Sequence, residues 1–151
     1  MRFASYDIVF QEVPDEVSLA LNITACPNRC PGCHSPHLWE DAGIELTTDA
    51  LETLLTDYGQ LITCIAFMGG DGALQDLYDL AAWVHLHGYK TAWYSGRQQI
   101  PDSCPQEVFD YIKIGPYIEE LGGLKSPTTN QRMYKRQDGS LVDITYRFQR
   151  K

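Results

Sequence analysis

The sequence predicts an α/β fold: an open, largely parallel sheet with antiparallel strands added at its edges and a hairpin near its end, in one domain spanning residues 1–151. Three observations predict it. Short apolar runs with strand character alternate with helical stripes from Ser18 to Gly115, the pattern of βαβ units whose strands pair in parallel. Only about four such strands fit in that stretch, so a complete eight-unit barrel is excluded. The tail then changes character, because Arg132 to Arg136 and Leu141 to Thr145 flank Asp138-Gly139, a two-residue hairpin signal.

Each element has its own warrant. Ala4 to Phe10 alternates in strand fashion, and Val13-Pro14-Asp15-Glu16 makes a turn. Ser18 to Ile23 is a second strand and delivers the chain to a cysteine-bearing loop, Thr24 to Pro36. Pro27, Pro31, Gly32 and Pro36 exclude regular structure in that loop. A helix is expected over Thr48 to Tyr58, where Leu51, Leu54, Leu55 and Tyr58 form one stripe and Gly59 supplies a stop. Leu61 to Met68 is an almost continuous apolar run, as expected of a strand covered on both faces. A second helix is expected over Ala73 to His87, with Leu74, Leu77, Tyr78 and Ala81 on its stripe and Gly88 beyond it. Thr91 to Tyr94 is a strand ending at Ser95-Gly96, Val108 and Phe109 close a short helix, and Tyr111 to Ile114 is a further strand. No repeat, low-complexity tract or composition break marks a linker.

Composition excludes some functions. Against 12 Lys+Arg stand 20 Asp+Glu, a net charge of −8. That balance argues against nucleic-acid binding, which needs clustered cations to displace counterions from phosphates. No apolar stretch approaches the roughly 20 residues of a membrane helix, so no membrane partner is expected. Met1 to Gln11 lacks the long apolar core of a signal peptide, and the chain reads as cytoplasmic.

The five cysteines are Cys26, Cys30, Cys33, Cys64 and Cys104. An odd number with a tight local cluster argues against a secreted disulfide framework. Cys64 and Cys104 are isolated and read as a core thiol and a loop thiol. Cys26-Pro-Asn-Arg-Cys30-Pro-Gly-Cys33 is a C-x3-C-x2-C spacing directly after a strand. Three thiolates from one short loop can coordinate three irons of a [4Fe–4S] cluster, leaving the fourth iron open, as catalysis at a metal requires. A zinc knuckle completed by His34 or His37 is the alternative, although zinc modules usually draw their ligands from two separate turns.

Cys26 to Cys33 resembles the signature of the radical S-adenosylmethionine (SAM) superfamily. The longer run Cys-Pro-Asn-Arg-Cys-Pro-Gly-Cys-His-Ser-Pro-His-Leu-Trp, residues 26 to 39, is similar to the activating proteins of anaerobic ribonucleoside-triphosphate reductase. Gly115-Pro-Tyr-Ile-Glu-Glu-Leu and Ser126-Pro-Thr-Thr-Asn-Gln-Arg resemble further stretches of that family. The resemblance covers the chain from near residue 6 to near residue 147. It implies a truncated, open partial (βα) barrel of the radical SAM type, with antiparallel edge strands and a C-terminal hairpin.

It also implies a site. Cys26, Cys30 and Cys33 would be the metal ligands, and His34 and His37 would not. Met68-Gly69-Gly70-Asp71-Gly72 stands where the superfamily has a Gly-Gly-Glu-Pro-like segment that holds the methionyl amino group of SAM. Asp71 replaces the Glu and Gly72 the Pro, so the backbone of Gly69 and Gly70 is the better-founded contact and the Asp71 side chain the weaker one. Gly32 stands where many members have an aromatic residue packed on adenine, which leaves the backbone of Gly32 and the ring of His34 as adenine contacts. Ser95 ends the next strand, at a position where the fold usually has a polar contact to SAM; as an ordinary turn residue it needs no such role. Asn130, Gln131 and Arg132 read by chemistry as a surface loop, and the resemblance adds a role in docking the partner or lining the site. Trp39, Trp83 and Trp93 read as core or interface aromatics.

The activity implied is that of a glycyl-radical activase. A donor such as reduced flavodoxin reduces the cluster, SAM is cleaved to methionine and a 5′-deoxyadenosyl radical, and that radical takes a hydrogen from a glycine of the reductase. The cofactor supplies the difficult chemistry, and the protein positions it. A radical SAM enzyme with another substrate, or a non-catalytic zinc or iron–sulfur module, are the competing readings.

Overall fold

The computed structural model describes residues 1–24 and 43–149. One eight-stranded sheet runs through it, built from β1 (Arg2–Val9), β2 (Ser18–Ile23), β3 (Ile44–Glu45), β4 (Cys64–Met68), β5 (Lys90–Tyr94), β6 (Tyr111–Ile114), β7 (Arg132–Gln137) and β8 (Ser140–Asp143), in spatial order β3-β1-β2-β4-β5-β6-β7-β8. The central strands β2, β4, β5 and β6 pair in parallel. On one side β1 and β3, and on the other β7 and β8, are added antiparallel. Two helices, α1 (Thr48–Tyr58) and α2 (Leu74–Leu86), supply the long crossovers that parallel neighbours need.

Alternation along the strands divides the core into two layers. Leu19, Leu21, Ile23, Ile65, Phe67, Trp93 and Ile112 point to the helix side and pack with Leu51 and Leu54 of α1 and Leu77, Ala81 and Val84 of α2. Removing a fully buried Phe or Leu from water contributes about 1.5–3 kcal/mol, so this layer dominates stability. On the opposite face Ala20, Ala66 and Ala92 lie side by side on three paired strands. Small side chains there let a lid of loops come close: Val13, Leu124 and Ile144 close the second core layer. The Tyr94 hydroxyl donates to the Glu12 carbonyl, and that of Tyr111 to the Pro14 carbonyl (3.1 Å), fixing the Val13 turn on this face.

The elements differ from the sequence reading at their edges. β1 begins at Arg2, and β3 is unforeseen because two exposed residues carry no periodicity. Leu61, Ile62 and Thr63 precede β4, and exposed Leu61 shows that only the second part of that apolar run is covered on both faces. Gly59 ends α1 without a left-handed turn. Its φ is −56°, and a Cβ there would meet Leu55 O at 2.4 Å and the Tyr89 hydroxyl at 2.5 Å, so close packing requires the glycine. Thr47 caps α1 by accepting the Ala50 N–H at 3.1 Å. Asp138 and Gly139, at φ of 51° and 79°, form the two-residue turn between β7 and β8.

Candidate functional site

All four parallel strands end on one edge of the sheet, where open α/β sheets take their ligands. β2 exits at Thr24, two residues before Cys26 in the sequence. Thr24 N–H donates to Arg2 O (2.9 Å), and Ile44 pairs with Phe3, so the residues flanking the cysteine segment both lie against the start of β1. β4 exits into Gly69-Gly70-Asp71-Gly72, β5 into Ser95-Gly96-Arg97 and β6 into Gly115-Pro116.

The glycine turn is tightly held. Gly69 (φ +120°) donates to Tyr94 O at 3.0 Å, and its own carbonyl accepts the indole N–H of fully buried Trp93 at 3.0 Å. Trp93 is thus a core residue, as expected, with a second task of orienting this turn. A Cβ on Gly69 would lie 3.1 Å from Cβ of Ile23, and Gly70 (φ +101°) also occupies a conformation that side chains rarely adopt. Gly70 O accepts the Ala73 N–H at 3.1 Å. The N–H groups of Gly70 and Gly72 have no hydrogen-bond partner among the described residues. A cavity of about 150 Å³ lies here, lined by Met1, Arg2, Ile23, Thr24, Gly70 and Gly72.

Asp71 and Ser95, both expected near a ligand, are brought together and bonded to each other. The Ser95 hydroxyl donates to Asp71 Oδ1 (2.7 Å) and accepts the Arg97 N–H (3.0 Å), while Gly96 N–H donates to Asp71 Oδ2 (2.8 Å). The Asp71 side chain is only 2% exposed, so these bonds carry its burial and clamp the exits of β4 and β5 together. Sequence reasoning missed two cations at this edge. Arg97 donates from Nη2 to Asp71 O (2.9 Å), and buried Lys113 donates to Ser95 O (3.3 Å) and Gly115 O (3.0 Å). A charged residue directly after the carboxyl end of a parallel strand was the available signal for Arg97.

Asn130 and Gln131 are not the surface loop that their polarity suggests. Gln131 is 6% exposed and donates from Nε2 to Gly115 O (3.3 Å), and Asn130 donates from Nδ2 to Pro116 O (3.1 Å). Gly115 must be glycine for this, since a Cβ would meet Gln131 Cα at 2.9 Å. The two stretches around Gly115 and Asn130 therefore interlock and form the far wall of the edge. Arg132 is exposed beside Asp143 at 3.7 Å.

Cys26, Cys30, Cys33, Gly32, His34, His37 and Trp39 lie outside the described residues. The chemistry of the remaining thiols bears on where a cluster can sit. Burial pushes the Cys64 thiol up to about 12 and the Cys104 thiol up to about 11, and both are buried in the core. Neutral, enclosed thiols are poor ligands, because metals bind the thiolate. Among the described residues no group of three His, Cys, Asp or Glu could hold a metal ion.

Among the described residues no helix is long and apolar enough to cross a membrane. No curated protein and no solved structure matches the chain significantly. Residues 17–114, well over half of the chain, match the family model of the 4Fe-4S single cluster domain. The match begins just before β2 and ends with β6, so it spans the parallel strands and the cysteine segment. The chain is thus an iron–sulfur protein and belongs to the 4Fe-4S single cluster domain family.

Proposed function

We propose that this protein is a radical SAM activase that generates the glycyl radical of anaerobic ribonucleotide reductase, its sheet serving as the truncated, open barrel of such enzymes. The observation that carries the proposal is the shared edge. The strand leading to the cysteine trio and the strand leading to the glycine turn are neighbours in parallel, with their exits side by side. When bound, the cluster supplies the electron that cleaves the sulfonium of SAM, and a reduced flavodoxin-type donor restores it.

The chain's own residues bind and orient. Cys26, Cys30 and Cys33 hold three irons and leave the fourth for substrate. Gly69 and Gly70 allow the methionyl end of SAM to approach backbone, with Trp93 fixing the Gly69 carbonyl. Gly32 and His34 meet the adenine. Asp71 and Ser95 act chiefly by holding the exits of β4 and β5 in register. Asn130 and Gln131 shape the wall beside Gly115, and exposed Arg132 is the member of that trio free to meet the reductase.

The test is to incubate the cluster-loaded protein with the reductase, SAM and dithionite and to record electron paramagnetic resonance spectra. A glycyl radical that requires all components supports the proposal. SAM cleavage without a radical on an otherwise activatable reductase assigns another substrate, and no cleavage leaves an iron–sulfur module without this activity.

A further inference from the structure

Charge is unevenly placed along the chain. Residues 1–124 hold 18 of the 20 Asp+Glu, whereas residues 125–151 hold seven of the 12 Lys+Arg and only two acids. An anion is therefore repelled by most of the molecule and drawn to its final segment. Two adjoining cavities lie there. One, of about 310 Å³, is lined by Tyr94, Leu124 and Phe148, with Glu12 at its border. The other, of about 370 Å³, is bordered by Lys125 and Arg147. Lys125 and Phe148 border both, so the two form one slot, apolar at one end and cationic at the other. Arg147 holds Asp15 with bonds of 2.6 and 2.7 Å, and Lys135 stands 3.9 Å from the same carboxylate, so two cations share one anion. Exposed Lys125 has no ion-pair partner among the described residues.

The loop that carries Lys125 adds donors. The carbonyls of Leu121, Gly122 and Gly123 accept from Thr128 Oγ1 (2.8 Å), Thr129 Oγ1 (3.1 Å) and the Ser126 N–H (2.9 Å). Gln149 Nε2 donates to Ser126 O at 3.0 Å, which ties the loop to the segment after Thr145. The N–H groups of Gly123, Leu124 and Lys125, by contrast, have no hydrogen-bond partner among the described residues. Three successive free N–H groups on a braced loop, beside an ammonium group, are suited to a carboxylate.

We propose that this slot captures the C terminus of a partner polypeptide, with its carboxylate at Gly123–Lys125 and an apolar last side chain between Tyr94, Leu124 and Phe148. A chain end is the unit that carries a carboxylate and an apolar side chain on one carbon, with a peptide carbonyl one bond further to take the third N–H. Glu12, at the apolar end, repels a second acid there. The slot is a docking site and takes no part in the proposed cleavage of SAM.

Fluorescence anisotropy on the full-length, cluster-loaded protein tests this under anaerobic conditions. The probe is the fluorescein-labelled peptide Gly-Ser-Gly-Ser-Val-Leu, as the free acid and as the C-terminal amide. The free acid should bind about 10- to 100-fold more tightly than the amide, the worth of hydrogen bonds to a charged group. Lys125→Gln, a change at an exposed side chain, should weaken the acid about 10-fold and the amide less than about twofold. Phe148→Ala should weaken both forms alike. Equal binding of acid and amide, no binding of the acid at about 1 mM, or equal losses for both in Lys125→Gln would overturn the proposal. Octanoate that displaces the labelled acid as well as the unlabelled peptide does would also overturn it, by making the slot a site for small carboxylates.

Discussion

Two aspartates at opposite edges of the same parallel strands show how one set of residue types can serve closure in one place and recognition in another. Asp110, at the amino edge, accepts the Thr91 N–H at 2.9 Å and Arg136 Nη2 at 3.3 Å, with His85 Nε2 at 3.6 Å. The group ties β5, β6, β7 and α2 together. Asp71, at the carboxyl edge, is more deeply buried, and Arg97 bonds its backbone carbonyl through Nη2 while the buried Nε, 3.7 Å from Oδ1, has no hydrogen-bond partner. Around Asp110 the polar atoms complete one another. Around Asp71 the N–H groups of Gly70 and Gly72 and the Nε of Arg97 have no hydrogen-bond partner among the described residues. An edge that keeps unmet donors beside left-handed glycines sacrifices some stability for function.

The contrast can be broken most forcefully with the thiols. Cys26→Ala, Cys30→Ala or Cys33→Ala should each abolish a stable cluster, read as iron and sulfide content after anaerobic reconstitution. Cys64→Ala and Cys104→Ala should keep it; full loading in Cys30→Ala would be incompatible with the assignment. In the folded protein Cys64 should resist iodoacetamide at pH 9, since burial raises its thiol from 9.0 to about 12 and keeps it neutral there.

Next in size are the aspartates themselves. Asp110→Asn and Asp71→Asn should each lower the unfolding free energy by about 1–3 kcal/mol, because each weakens buried bonds to a charged acceptor. Only Asp71→Asn should also weaken SAM binding, by loosening the exits of β4 and β5 that Asp71 ties together through Ser95 and Gly96. Equal effects on SAM from both substitutions would erase the distinction between the edges. Gly70→Val should cost about 1–3 kcal/mol of backbone strain and lower SAM affinity with the cluster retained; unchanged affinity in an iron-loaded variant would make the segment an ordinary turn.

The smallest effects sharpen the far wall. Arg132→Ala should change stability by less than about 1 kcal/mol, since its ion pair with Asp143 is exposed. It should nevertheless slow glycyl-radical formation more than uncoupled SAM cleavage, measured side by side. Asn130→Ala should lower stability by about 1 kcal/mol through loss of the Pro116 bond, and slow both rates together.

Much of the scaffold was legible because periodicity reports burial. β2, α1 and β6 have the bounds read from the sequence, and the Asp138-Gly139 turn is where its chemistry demands. What was illegible depends on long-range partners. Gln131 is polar and buried only because Gly115 leaves a space, and nothing within Thr129–Arg132 announces that partner. β3 is too short to have a period and exists because β1 offers an open edge. The site divides in the same way. The glycine turn carried a local signal, whereas the engagement of Ser95 by Asp71 and the orientation of Arg97 arise from strands 24 to 26 residues apart in sequence.

The proposed activity is cleavage of SAM at the carboxyl edge of this sheet, on an iron–sulfur cluster held by Cys26, Cys30 and Cys33. The direct test is to reconstitute the protein anaerobically to about four irons per chain, add dithionite and SAM, and quantify 5′-deoxyadenosine and methionine. The two products should form in equal amounts, dependent on reductant and absent in Cys30→Ala. A fully loaded, reducible cluster that yields neither product would contradict it.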